Sequence, residues 1–244
     1  MTSAVIPTTN RAKPPLLDLP LSDEFQMVGF DTTEMNHANQ YKLFSSTVIP
    51  RPIALVTTLG PAGLNAAPFS FFNAAAIGPP MVMFSVGPTM FDRKNEEKDT
   101  LVNIRATGEF VVHMVDDANK EKMNLCGPEY GKLTNEMTLA GFRCAPSRRV
   151  APPRIIDCPV QLECKLTAIH PLGQMPYHLV IGEVVFAHYK EGIVDNRLRV
   201  DMTAMNPIAR LVNPGIYCRI TDHFHMPAPE ASLQPIDTKH PKTD

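Results

Sequence analysis

The run NAAPFSFFNAAA at residues 65–76 places two asparagines and a serine among residues that are otherwise apolar or small. Buried amides and hydroxyls need partners, and small neighbours let a flat ligand approach the backbone closely. The plainer alternative is an interior strand whose Ser70 and Asn73 satisfy the local backbone. IPRPIALVTT precedes the run, and FSVG and then RKNEEKDT follow it. Together these segments are suited to surround a planar heterocycle and its phosphate. Asparagine, serine and backbone amides would pair with the polar edge of a ring, while Arg51, Arg93 and Lys98 would neutralise the phosphate. Thr100 and the open N–H groups at the start of its helix would donate hydrogen bonds to it. Without such a ligand, residues 92–99 read as a solvated charged loop.

Other chemistries lack their motifs. There is no G-x-S-x-G elbow, no H-E-x-x-H helix and no Walker loop. No G-x-G-x-x-G fingerprint is present either, so a nicotinamide cofactor would have to bind without a Rossmann domain. The five cysteines are odd in number and form no C-x-x-C pair, which argues against a disulfide framework or a zinc knuckle. His223 and His225 lack clustered companions, so no metal site is expected.

The elements that must position these residues are mostly strands. Proline makes up 24 of 244 residues, about twice the usual ~5%, which excludes long helices. With 44% hydrophobic and 20% charged residues the chain can nevertheless fill a core. IALVTTL, MVMFSV, EFVVHMV, VQLECKLTAI and HLVIGEVVFAHY read as strands beginning at residues 53, 81, 109, 160 and 178. Short helices fit residues 100–106 behind Asp99, a segment capped by Asp116 or Asp117 and ending at Gly127, residues 133–140, and residues 204–211. An antiparallel barrel suits this pattern better than a doubly wound parallel sheet. Pro68, inside the candidate ligand strand, is expected to mark an edge or a bulge. Residues 1–39 read as an N-terminal extension, 40–220 as the body and 221–244 as a C-terminal tail. A net charge of −2 without a basic block speaks against nucleic acid. No apolar run is long enough for a membrane span or a secretion signal, which leads to the expectation of a cytoplasmic protein.

Five segments in one order, RPIALVTT, GLNAAPFSFFN, PPMVMFSVG, KDTLVNIRATGEFVVH and HLVIGEVV, resemble the flavin reductase-like family with its FMN-binding split barrel. NPIARLVNPGIYCR resembles the family's closing stretch, with Val212, Asn213, Pro214 and Gly215 in place of its compact glycine turn. The resemblance implies a mainly β fold, a six-stranded antiparallel Greek-key split β-barrel with short flanking helices, in a homodimer with FMN near the subunit interface. It implies that Asn65, Ala67, Pro68, Phe69 and Ser70 line the isoalloxazine, with Thr57 close to the ring or ribityl chain. Ser85, Lys98 and Thr100 would hold the phosphate, with Arg51 a further candidate. His178, before the I-G-E-V strand, matches a family histidine that would orient a nicotinamide or donate a proton; a strand-end histidine bonded to backbone is the structural alternative. The activity implied is an NADH- or NADPH-dependent flavin reductase supplying a monooxygenase. A self-contained FMN reductase of a small organic substrate such as a nitroaromatic, and a non-catalytic flavin carrier, are the alternatives.

Overall fold

A computed structural model describes residues 27–89 and 96–227. Arg93, the first four prolines and the chain beyond residue 227 lie outside the described residues. The chain separates into two units, Met1–Tyr41 and Lys42–Asp244. In chain order the elements begin with α1 (His37–Thr47), β1 (Arg51–Pro52), β2 (Ala54–Gly60), β3 (Gly63–Phe69), β4 (Phe72–Ile77), β5 (Pro80–Val86), α2 (Asp99–Thr107) and β6 (Glu109–Met114). A 3-10 turn at Asp117–Asn119 leads into α3 (Lys120–Leu125), then α4 (Glu136–Leu139), β7 (Cys144–Ala145), β8 (Arg154–Ile155) and β9 (Val160–Leu172). The series ends with β10 (Tyr177–Tyr189), α5 (Met202–Met205), β11 (Ile208–Arg210) and β12 (Tyr217–Arg219).

Each of the five apolar runs forms a strand, namely β2, β5, β6, β9 and β10. The main sheet has the order β3-β2-β6-β9-β10-β5-β4 and every neighbouring pair is antiparallel. The expected six strands are therefore corrected to seven. The run at 65–76 is not one strand, because the chain changes partner at Ser70 and Phe71: β3 pairs with β2, and β4 with β5. Phe71 still lends its carbonyl to the Ser85 N–H at 2.9 Å.

This partner change closes the barrel. Laid flat, the outer strands of a seven-stranded sheet would stand about 29 Å apart at ~4.8 Å per strand. The three Cα steps from Phe69 to Phe72 reach only about 11 Å. The sheet must curl until β3 and β4 meet at that link. Pro68 lies on β3, at one end of the strand order, opposite Leu55 in a regular register. It marks an edge and not a bulge.

β2 is apolar without alternation because both of its faces are covered. Ala54 and Val56 join Phe69, Phe84, Phe110 and Val112 inside the barrel. Ile53 and Leu55 join Met123, Met137, Phe142, Ile155 and Ile208 on the other side. Phe84 is the centre of the inner cluster, 5.1 Å from Phe69 and 5.6 Å edge-on from Phe110 by ring centroids. Gly182 leaves room for Phe110, whose ring a Cβ there would overlap.

The helices refine the sequence reading. Asp99 was expected to cap the helix at 100–106, but α2 starts at Asp99 itself, after an extended Lys98 that makes no side-chain cap bond. Asp116 does cap the next segment, its carboxylate accepting from the Asn119 N–H. The helix expected over 133–140 shrinks to α4, because Leu133 is left-handed and Asn135 caps the turn. That expected over 204–211 is corrected more strongly. α5 stops at a left-handed Asn206 ahead of Pro207, and Ile208–Arg210 becomes β11 between β1 and β12. α1, which crosses the expected boundary at residue 39, follows Asn36, whose side chain accepts from the Asn39 N–H at 2.9 Å. The replaced glycine turn near residue 213 holds a cis Asn213–Pro214 bond followed by a left-handed Gly215.

Candidate active site

A cleft of about 140 Å³ opens where the start of α2 faces β3. One wall is apolar and comes from Ala67, Pro68 and Phe69. The opposite side carries Lys98, Asp99 and Thr100, with Gly87 and Thr89 after β5, and the 126–130 segment closes it. The Lys98 carbonyl accepts from the Leu101 and Val102 N–H groups, so the opening turn of α2 is built without a side-chain cap. Such a turn favours a negative group.

Behind the wall lies a buried polar network. The Asn65 side chain donates from Nδ2 to Glu136 Oε1 at 3.1 Å and accepts at Oδ1 from the Thr100 hydroxyl at 2.7 Å. Glu136 Oε2 accepts from the Ala66 N–H at 3.0 Å. Thr58 donates to Asn65 Oδ1 at 3.4 Å and accepts from Asn103 Nδ2 at 3.0 Å. Asn65, Thr100 and Glu136 are all buried. Burial, with Asp99 nearby, holds the Glu136 carboxyl above the usual carboxylate range, although Ala66 and Asn65 donate to it. Lys98 pairs with Glu129 at 3.0 Å. Burial and the Glu136 charge push the Cys126 thiol up to about 12, which keeps it protonated and unreactive.

The structure brings together six of the expected residues, Asn65, Ala67, Pro68, Phe69, Lys98 and Thr100. It places the others elsewhere. Arg51 and Ser70 line a second cavity of about 380 Å³, with Phe44, Val48, Phe71 and Asn73. There the Arg51 guanidinium donates to the carbonyls of Ser45, Val48 and Leu211, which ties the end of α1 to the strand ends, and its plane lies over Phe71. Thr57 is fully buried and spends its hydroxyl on the Pro153 carbonyl at 2.8 Å. Ser85 sits within β5 opposite Leu179. His178 lies on β10 opposite Val86, beside Tyr177, whose ring packs against the spot a Gly87 side chain would fill. His113, read as structural, is buried and uncharged: Nδ1 donates to the Leu55 carbonyl and Nε2 accepts from the Ile155 N–H, each at 2.8 Å.

The sequence reading missed Glu136 and Glu129. Glu136 is one residue after the Asn135 cap, in the polar run LTNE, where a carboxylate normally faces water. Its only local signal is that cap. The pairing with Asn65 spans 71 residues of chain and has no periodicity. Among the described residues no group of three or more His, Cys, Asp or Glu is placed to hold a metal ion, and no helix is long and apolar enough to cross a membrane.

Residues 45–210 match the model of the flavin reductase like domain. The chain belongs to the flavin reductase like family. An uncharacterised protein of Aquifex aeolicus (strain VF5) is 39% identical over 183 residues, 75% of this chain and 91% of that protein. Nitrilotriacetate monooxygenase component B from Bacillus cereus superposes with a TM-score of 0.78 at 30% identity, over 83% of this chain and all of that one (100%). The 2-nitrobenzoate 2-nitroreductase of Pseudomonas fluorescens gives 0.74 at 36% identity, over 84% and 98%. The split barrel that the resemblance implied is thus the fold of this flavin reductase-like chain. Its cleft uses the edge strand β3 and the uncapped α2 as its two faces.

Proposed function

We propose that the protein is a flavin reductase that binds FMN between β3 and the start of α2, takes electrons from NADH or NADPH, and supplies reduced flavin to a monooxygenase. The observation that carries this reading is the pairing of a flat apolar wall with an uncapped helix start in one cleft. When bound there, FMN would supply the hydride acceptor. Lys98, Thr100 and the opening turn of α2 would hold its phosphate, and Ala67, Pro68 and Phe69 would face its ring. Asn65 has its amide engaged by Glu136 and Thr100, so its part is to fix that face of the cleft. His178, next to Tyr177, which packs beside Gly87 of the cleft, would orient the nicotinamide.

The cleft of one chain is smaller than the ~300 Å³ at which ligand pockets usually begin. A second copy would complete it. The homodimer is further supported by β4, an edge strand with Asn73 to Ile77 exposed and Ile77 85% accessible, an open ladder edge of small apolar residues. A cytoplasmic location and the division into extension, body and tail belong to the same proposal.

Titrating the purified protein with FMN, followed by stopped-flow mixing with NADH or NADPH, tests the reading. Saturable FMN binding and bleaching of the flavin absorbance by at least one nicotinamide are expected; failure to bind any flavin sinks it. The higher identity to the nitroreductase than to component B supports a second reading, direct reduction of a nitroaromatic. Turnover of a nitroaromatic without free flavin would favour it over export of reduced FMN.

A further inference from the structure

The cleft presents an electrostatic difficulty. Lys98 faces three carboxyl groups, Asp99, Glu129 and Glu136, and is already paired with Glu129. Among the described residues of this cleft, an entering phosphate meets three carboxyl groups and one ammonium. Thr100 adds a second difficulty. Its single hydroxyl proton is directed at Asn65 Oδ1, so toward the cleft it offers only lone pairs. The orientation of Asn65 is set in turn by Glu136, which as a carboxylate accepts only and therefore requires the Nδ2 side of the amide.

One proton lessens the first difficulty and removes the second. We propose that Glu136, Asn65 and Thr100 form a proton-coupled relay: uptake of one proton by Glu136 reverses both hydrogen bonds and turns the Thr100 hydroxyl into a donor toward an anion in the cleft. With Glu136 neutral, its O–H donates to Asn65 Oδ1 after the amide turns over. Asn65 Nδ2 then donates to Thr100 Oγ1 and to Thr58, and the Thr100 proton is released to the cleft. The Ala66 N–H keeps its acceptor on Glu136 throughout, so the backbone of β3 does not move. The proton comes from solvent and returns to it when the anion leaves.

The surroundings favour this exchange. Glu136 shares the cleft lining with Lys98 and Asp99 at the start of α2 and with Glu129, the Cys126 thiol and Tyr130 from the 126–130 segment, the Tyr130 hydroxyl donating to the Leu125 carbonyl. β3 presents only the Asn65 amide and the Ala66 N–H. Burial and Asp99 already hold the carboxyl above its ordinary 4.5, and a bound phosphate raises it further by like-charge repulsion. Binding of the anion therefore takes up a proton, and affinity rises as pH falls.

The inference rests on FMN as the ligand and concerns its phosphate alone. Calorimetric titration with FMN and with riboflavin, in buffers of different protonation enthalpy at one pH, reads the protons taken up. FMN is expected to bind with net uptake and riboflavin with none, and FMN affinity to rise by up to about tenfold per pH unit on the acid side. Glu136→Gln presents an amide that donates to Asn65 and accepts from Ala66. It should bind FMN at least as tightly as the wild type and without proton uptake. Thr100→Val should narrow the affinity difference between the two flavins and abolish the proton uptake on FMN binding. FMN binding without uptake in the wild type, or equal uptake in Glu136→Gln, overturns the relay and leaves the flavin reading intact. If neither flavin binds, the flavin reading fails and the relay with it.

Discussion

Two buried glutamates in this barrel behave in opposite ways. Glu163, on β9, is fully inaccessible, yet its carboxyl is held below the usual range. Burial pushes it up, but the Arg148 N–H at 2.8 Å, His188 Nε2 at 2.6 Å and the Arg149 N–H at 2.6 Å more than offset this. Glu136 has the Ala66 N–H at 3.0 Å, the Asn65 amide at 3.1 Å and its own N–H, and burial wins. The difference lies in the donors. Three short bonds, two from a fixed loop backbone, define one protonation state and pin the 147–149 loop to the barrel. Longer bonds from neighbouring groups, one of them an amide that can turn over, leave a carboxyl that can change state. Depth of burial alone does not separate a structural acid from a responsive one.

The comparison breaks most sharply at Glu163. Glu163→Gln sets an NH2 group against backbone donors and is expected to cost about 3 kcal/mol in chemical denaturation. Glu136→Gln, whose amide matches its partners, should cost less than about 1 kcal/mol. Equal losses would remove the distinction. His113 is a basic counterpart of the stiff site: burial and the Arg154 charge lower it from 6.5 to about 4, against the bond to Leu55. The unfolded imidazole binds its proton below 6.5, which the folded ring refuses until about 4. Stability is therefore complete above 6.5 and falls by on the order of 3 kcal/mol as pH drops toward 4. A His113→Gln variant, with a donor and an acceptor for the same two partners, should show a flatter acid limb in its denaturation midpoint. Lys98→Ala should weaken FMN by about tenfold and leave riboflavin nearly unchanged, since only the phosphate meets the ammonium. The smallest effect belongs to His178→Ala, where an altered pH profile of flavin reduction with unchanged FMN affinity is expected; an unaltered profile takes this residue out of the chemistry.

What the sequence disclosed follows the range of the interactions involved. Strands β2, β5, β6, β9 and β10 were legible because burial writes apolar runs directly into the chain. Lys98, Thr100 and the β3 wall were legible because a helix start and a small-residue strand are local patterns. The split of residues 65–76 into two strands was not, since it depends on which distant strands accept Phe69 and Phe72. Arg51 looks like an anion ligand in sequence, but carbonyls left open at the end of α1 and beyond β11 take up its donors. Glu136 was hidden for the converse reason, its role arising only when α4 lands beside β3.

The link at Ser70 and Phe71 also decides which side of the cleft can give way. Along most of the barrel, neighbouring strands are held by ladders that can fray, but here the two ends of the sheet are held by the chain itself. β3 is thereby a fixed jaw. The wall across from it, the 126–130 segment, carries no strand ladder, and the Glu129–Lys98 ion pair links it to the start of α2. Of the two walls, the one made by a surface loop is the one that can shift without opening the barrel.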